Sequence, residues 1–266
     1  TMTSQRTISP VDGRVYVERA LATPVQIEAA LESARLAQRV WRDVTMAERA
    51  AILNRFCDAF ESHGDAIAEE LSWQMGRPLR FAPSEVRGTL ERARHMIAIA
   101  PAALADIDVG PKAGFHRFLR REPLGVVFTV AAWNYPYLIA VNSVVPALMA
   151  GNVVVLKHSA QTPLCAERFE ECLREAGLPE GAFQTLHLSH ADTERVIGDS
   201  RVDFVAFTGS VAGGHAVQRA AASRFIGTGL ELGGCDPAYV RHDANLAHAI
   251  ENLVDTDLVG VVAVDS

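Results

Sequence analysis

The sequence predicts an α/β fold, a parallel sheet with helices on both faces, preceded by a helical segment. Three observations predict it. From Leu124 onward short apolar runs alternate with amphipathic stretches of helical period. From Thr23 to about Asp106 the period is helical throughout. The apolar runs also end in Asn, Lys, Gly and Glu, which suit the rim of a sheet and not its core.

The helical segment has two marked starts. Thr23-Pro24-Val25-Gln26 and Thr45-Met46-Ala47-Glu48 each place a hydroxyl at the N-cap and an amide or acid three residues on, and Pro24 sits at the first helical position. A third stretch, Glu85 to Leu104, carries Arg87, Arg92 and Arg94, read as a solvated face. Gly114 to Glu122 alternates roughly apolar and basic residues, which suits an exposed ribbon. The alternating half follows. It comprises Gly125 to Val130 and a helix to Met149, Val153 to Leu156 and a helix from Thr162 to a Gly177 cap, Phe183 to Leu188 and a short helix, and Phe204 to Phe207 and a helix.

A chain of 266 residues, 49% hydrophobic and 21% charged, is large enough for one big domain or two small ones. The net charge of -7, with no Lys/Arg cluster, argues against nucleic acid or an anionic membrane as partner. The longest apolar run, Leu138 to Leu156, is interrupted by Asn142, Pro146, Gly151 and Asn152, so a membrane span is not expected. The start lacks the basic-then-apolar order of a signal peptide, and Thr1 ahead of Met2 suggests an arbitrary upstream boundary. Cys57, Cys165, Cys172 and Cys235 show neither a C-x-x-C pair nor a nearby His at metal spacing, so reduced thiols, no metal and a cytoplasmic setting are expected.

Parallel sheets bind ligands beyond the carboxyl ends of their strands. Four such ends stand out: Ala131-Ala132-Trp133-Asn134-Tyr135-Pro136, Lys157-His158-Ser159, Phe207-Thr208-Gly209-Ser210 and Leu230-Glu231-Leu232-Gly233-Gly234. Each has an ordinary explanation taken singly. Trp133 and Tyr135 can be packing, Asn134 a turn former, Lys157 a solvated strand end, Glu231 a salt-bridged core acid and the paired glycines a bend. In this combination and order the four ends resemble the aldehyde dehydrogenase superfamily, and the resemblance runs from Ser9-Pro10-Val11-Asp12-Gly13 to Pro237-Ala238-Tyr239-Val240.

The resemblance implies a Rossmann-like, aldehyde dehydrogenase-like sheet that binds NAD or NADP and oxidises a small-molecule aldehyde to a carboxylic acid. Asn134 matches the amide that stabilises the oxyanion of a thiohemiacetal, a task suited to a neutral donor that does not titrate. Lys157 matches the lysine on the adenosine ribose, with Ser159 beside it. Gly209 and Ser210, at a helix start, match the pyrophosphate contact, where free N–H groups and the helix dipole favour an anion. Trp133 would line the same cleft. Glu231 matches the general base that activates water, and its neighbours Leu230 and Leu232 suggest an apolar surround that raises its pKa. The usual dinucleotide fingerprint is absent, because Gly227-Thr228-Gly229 lacks the third glycine. Ala160 stands where the family often has an acid that grips the ribose hydroxyls of NAD, which makes NADP admissible.

The match fails near the end. The family's nucleophilic cysteine lies about 34 residues after the base, which here lands on Asp265 in a stretch without cysteine. The expected organisation is therefore a nucleotide-binding domain over 1–234, with an oligomerisation ribbon at about 112–123. The start of a truncated catalytic domain follows over 235–266, its tail at 255–266 the product of a shifted frame or a premature end. Cys235 is a poor substitute, since a nucleophile moved from its loop to a strand would be misplaced by ångströms. An inactive chain is expected, or alternatively a non-catalytic nucleotide-binding or subunit-interaction module. The resemblance implies a homo-oligomer for an intact relative and leaves this chain's own assembly open.

Overall fold

The computed structural model describes residues 4–234, 238–255 and 262–264. The chain divides into two compact units, Thr1–Leu230 and Glu231–Ser266.

The first unit opens with an antiparallel hairpin, β1 (Ser4–Ile8) and β2 (Val15–Ala20). The sequence did not announce it because most of its residues are exposed on both faces, which erases the apolar alternation of a half-buried strand. Side chains anchor it instead. Thr7 Oγ1 donates to the Ala160 carbonyl at 2.8 Å, and Arg19 forks onto Glu167 at 2.7 and 2.9 Å.

Four helices follow: α1 (Pro24–Trp41), α2 (Met46–Ser62), α3 (Gly64–Met75) and α4 (Ala82–Ala103). Thr23 and Thr45 form the expected capping boxes with Gln26 and Glu48. Gly76 closes α3 in the left-handed region at φ 76°, which costs glycine little. Arg87, Arg92 and Arg94 are exposed as expected, although Arg94 also reaches Glu61 at 2.6 Å and Arg92 reaches Asn142 at 3.4 Å. The expected ribbon is short. β3 (Ile107–Asp108) pairs antiparallel with β4 (Phe118–Leu119), a partner within the chain that the sequence did not suggest.

The alternating half contains β5 (Val126–Ala131), α5 (Pro136–Met149), β6 (Val153–His158), α6 (Pro163–Glu175), β7 (Phe183–Thr185), α7 (His190–Gly198), β8 (Phe204–Gly209), α8 (Val211–Ala221) and β9 (Gly227–Leu232). The sheet order is β7-β6-β5-β8-β9, and β5 runs parallel to both β6 and β8. β5 and β6 are buried along their whole length, which explains why they read as continuous apolar runs. From β5 the chain builds outward through β6 and β7, then returns to add β8 on the other side. The strand order therefore reverses between β5 and β8, where such sheets form a ligand crevice.

The N-terminal helices pack on the sheet layer as part of the same core. Phe56 and Phe60 of α2 meet Phe169 of α6 and Tyr137 of α5, with ring centroids 5.2 to 5.9 Å apart. Trp41, fully buried, donates its indole N–H to the Leu148 carbonyl at 3.0 Å.

In the second unit β10 (Ala238–Val240) pairs in parallel with β11 (Val262–Val264), and α9 spans Leu246–Asp255. Of the expected tail at 255–266, only Asp255 and this short strand fall among the described residues. Cys235 lies outside them.

Candidate functional site

Strand register gathers most of the residues singled out above. Val130 lies opposite Lys157 on one side and Phe207 on the other, so the carboxyl ends of β6, β5 and β8 finish level with one another. Trp133 and Asn134, Ser159, and Gly209 with Ser210 all leave that common edge. Sequence order predicted the ends; pairing makes them neighbours.

Lys157 is not the solvated strand end of the ordinary reading. It is only 9% exposed, and its ammonium has no hydrogen bond or ion pair among the described residues. Burial lowers its pKa, because removing water disfavours the charged form. A buried, unpaired ammonium at a strand end is costly unless a ligand supplies acceptors.

His158 is 1% exposed and joins two of the strand ends. Its Nδ1 accepts from the Ser159 backbone N–H at 2.9 Å, with the Thr162 hydroxyl 3.1 Å away. That leaves Nε2 to carry the proton and donate to the Pro136 carbonyl at 3.2 Å. Burial pushes its pKa down to about 4, so the ring is neutral near pH 7.

A pyrophosphate would need a helix N-terminus with N–H groups to spare, and the structure separates the three helices that follow β5, β6 and β8. Pro136 opens α5 and has no N–H, while the next donor, Tyr137 N–H, is taken by the Glu85 carboxylate at 2.9 Å. Pro163 opens α6, and the Leu164 N–H is taken by Gln74 Oε1 at 3.0 Å. Ser210 caps α8 by accepting from the Gly213 N–H at 3.1 Å, yet the N–H groups of Val211 and Ala212 have no partner among the described residues. Glycine keeps this turn tight: a Cβ on Gly209 or Gly213 would lie 2.6 Å from the Phe207 ring.

The loop after β5 is held from the helical segment. Arg77 donates to the Asn134 carbonyl at 2.6 Å, lies over the Tyr135 ring at 4.4 Å and pairs with Glu85 at 3.2 Å. Glu85 is buried, and burial raises its pKa against the opposing pull of Arg77. The side-chain amide of Asn134 has no hydrogen-bond partner among the described residues, and Trp133 is 52% exposed beside it. Sequence reading passed over Arg77, Glu85, Gln74 and His158. Glu85 entered the sequence reading only as the first residue of a helical stretch, and nothing local shows that a helix from elsewhere needs its charge.

Glu231 requires a correction. Glu231 and Leu232 are exposed, so the apolar surround expected from Leu230 and Leu232 is not there. The reason is position: both residues end β9, the edge strand of the sheet, and the side chain is exposed there together with that of Leu232. The three described cysteines, Cys57, Cys165 and Cys172, are free and buried, and burial raises all their pKa values, Cys57 to about 11 and Cys172 to about 12. These thiols are unreactive. Among the described residues one group of possible metal ligands meets where α6 passes the end of α2, at His63, Glu171 and Glu175. Arg168 already donates to Glu171 at 2.5 Å and His63 already bonds Glu175 at 3.2 Å, so these side chains have partners within the protein.

Comparison with known proteins fits this geometry. The aldehyde dehydrogenase family matches residues 1–260. The chain belongs to the aldehyde dehydrogenase family. Within that family it is 35% identical over 253 residues to a succinate-semialdehyde dehydrogenase [NADP(+)] of Mycobacterium tuberculosis, covering 93% of this chain and 55% of the relative. A probable succinate-semialdehyde dehydrogenase [NADP(+)] of Synechocystis is 34% identical over 245 residues, with 92% and 54% covered. The solved succinic semialdehyde dehydrogenase of Streptococcus pyogenes, in complex with NADP+, superposes with a TM-score of 0.88 at 29% identity, covering 93% of this chain and 54% of that one. This aldehyde dehydrogenase chain thus spans about half the length of the curated relatives it matches. Among its described residues no helix is long and apolar enough to cross a membrane.

Proposed function

We propose that this chain binds NADP, and NAD less well, at the carboxyl edge of its sheet, as the nucleotide-binding part of an enzyme that oxidises an aldehyde to a carboxylic acid. The observation that carries the reading is the unclaimed N-terminus of α8 on the same edge as the buried, unpaired Lys157. An anion and a pair of ribose hydroxyls would satisfy both. The residues therefore fit a dinucleotide: Lys157 on the ribose, Ser159 beside it, Gly209 and Ser210 with the Val211 and Ala212 N–H groups on the pyrophosphate, and Trp133 along the cleft. NADP is favoured because Ala160 presents no carboxylate to repel a 2′-phosphate, and because the relatives named above carry NADP(+) in their names.

When bound, the nucleotide would supply the hydride acceptor. Asn134 would donate its free amide N–H to an oxyanion, and Glu231, exposed as it is here, would act as base only once an apolar wall covers it. The domain boundary follows the same logic, with nucleotide binding over 1–234, the ribbon at 112–123 an oligomerisation element, and 235–266 the beginning of a catalytic domain. Among these residues none of the described thiols is placed or ionised to attack an aldehyde, so turnover is proposed to require residues outside this sequence.

Titration with NADP+ and NAD+ followed by tryptophan fluorescence tests the reading, with an aldehyde-dependent assay of nicotinamide reduction alongside. Saturable binding is expected, tighter for NADP+, weakened at least about tenfold by Lys157→Ala through the lost charge-assisted hydrogen bonds, and without turnover. Absence of binding would overturn the nucleotide reading, and turnover would overturn the missing-nucleophile part alone.

A further inference from the structure

The two strand ends that would hold a nucleotide are tied to each other by one buried side chain. His158 ends β6 directly after Lys157 and directly before Ser159, opposite Ala131 of β5. Its Nε2–H reaches across to the Pro136 carbonyl at 3.2 Å, at the start of α5 and next to the loop that carries Trp133 and Asn134. Its other nitrogen is held by the Ser159 N–H and lies beside the Thr162 hydroxyl, so the ring cannot turn over without losing these contacts. Neither nitrogen is left for a ligand.

We propose that His158 is a positioning residue for nucleotide binding, setting the spacing between the Lys157–Ser159 end and the Trp133–Pro136 loop through a single imidazole bridge. The proposal rests on the nucleotide reading above and extends it to a residue that touches no nucleotide. The side chain must accept at the δ position and donate at the ε position simultaneously, which neutral histidine alone among the natural side chains does with a rigid frame. Only the ε contact crosses between the two ends. A bridge and a merely structural histidine therefore predict different results for two amide variants. Glutamine places an N–H donor near the ε position and can keep the link to Pro136. Asparagine can replace the δ acceptor for Ser159 N–H but is too short to cross.

The experiment is NADP+ titration of the 266-residue chain and its His158→Gln, His158→Asn and Lys157→Ala variants, with urea unfolding of each. Expected is near wild-type affinity for His158→Gln and an affinity about tenfold weaker for His158→Asn, on the scale of one lost buried hydrogen bond. Tryptophan emission of the free chain, in which Trp133 is the exposed one of three, is expected to shift in the asparagine variant and to return in the glutamine variant. If both variants bind as wild type, or if both lose affinity equally, the bridge is refuted while the nucleotide reading stands. If wild type itself binds no NADP+ and Lys157→Ala changes nothing, the nucleotide reading fails and the proposal with it.

Discussion

Removing the Glu85 carboxylate should uncouple the helical segment from the loop that carries Asn134. Glu85 has no exposed side-chain area, accepts from the Tyr137 N–H at 2.9 Å and lies 3.2 Å from an Arg77 guanidinium that is itself 11% exposed. Its second oxygen, Oε2, is in ion-pair range of Arg77 but has no well-angled hydrogen bond, so the attraction there is mainly charge. Glu85→Ala leaves a buried N–H without a partner and a nearly buried cation without its counter-charge, and breaking a buried pair from one side costs about 3–5 kcal/mol. Glu85→Gln keeps an acceptor for Tyr137 and should cost about 1–3 kcal/mol. Urea unfolding of both variants, of Arg77→Ala and of the Arg77→Ala/Glu85→Ala double variant measures this. The double variant should cost less than the sum of its parts, because the second change removes the charge the first one stranded. The pH dependence has a definite sign. Burial raises the folded pKa of Glu85 above its ordinary 4.5, so the folded state binds the proton more tightly than the unfolded one. The stability from this group is then fullest below 4.5 and falls as pH rises through the raised value, a slope that Glu85→Gln removes. A cost under about 1 kcal/mol for Glu85→Ala, or strict additivity in the cycle, would refute the argument that this carboxylate fills the N-terminus of α5.

Three other outcomes follow from the same structure. Glu167 is partly buried, which raises its pKa, but hydrogen bonds from His187 and Arg19 outweigh this and pull it down to about 2. Its contribution should be present above its ordinary 4.5 and lost as pH falls from there toward about 2, so wild type should lose more stability than Glu167→Gln in acid unfolding curves across that window. In a Cys235→Ser background, a thiol reagent should find no fast-reacting group in the native chain and all three remaining cysteines after denaturation; rapid native labelling would contradict their burial. Gly209→Ala should drive its methyl against the Phe207 ring, since the added Cβ would lie 2.6 Å from it, and should weaken NADP+ binding more than it lowers the unfolding midpoint.

Local chemistry made several features legible in the sequence. The capping boxes at Thr23 and Thr45, the αL glycine after α6, the buried runs of β5 and β6, and the strand–helix alternation depend on residues close together in the chain, and each appears where its pattern falls. The order of the four strand ends was legible for the same reason and was enough to indicate the family. What only the tertiary structure decided involves partners far apart in sequence. Glu85 and Gln74 occupy the N-termini of α5 and α6 from other helices, 52 and 90 residues away in the chain, whereas no distant side chain among the described residues occupies that of α8. His158 joins two strand ends by a bond spanning 22 residues. Lys157 looked like a solvated strand end until the layers around it closed. Glu231 reversed in the other direction: it lies at the end of the edge strand β9, where it and Leu232 are both exposed. Short-range pattern determines which elements form, because propensity and capping act over a few residues. Which polar groups are satisfied and which remain available for a ligand is determined by whatever distant chain arrives beside them.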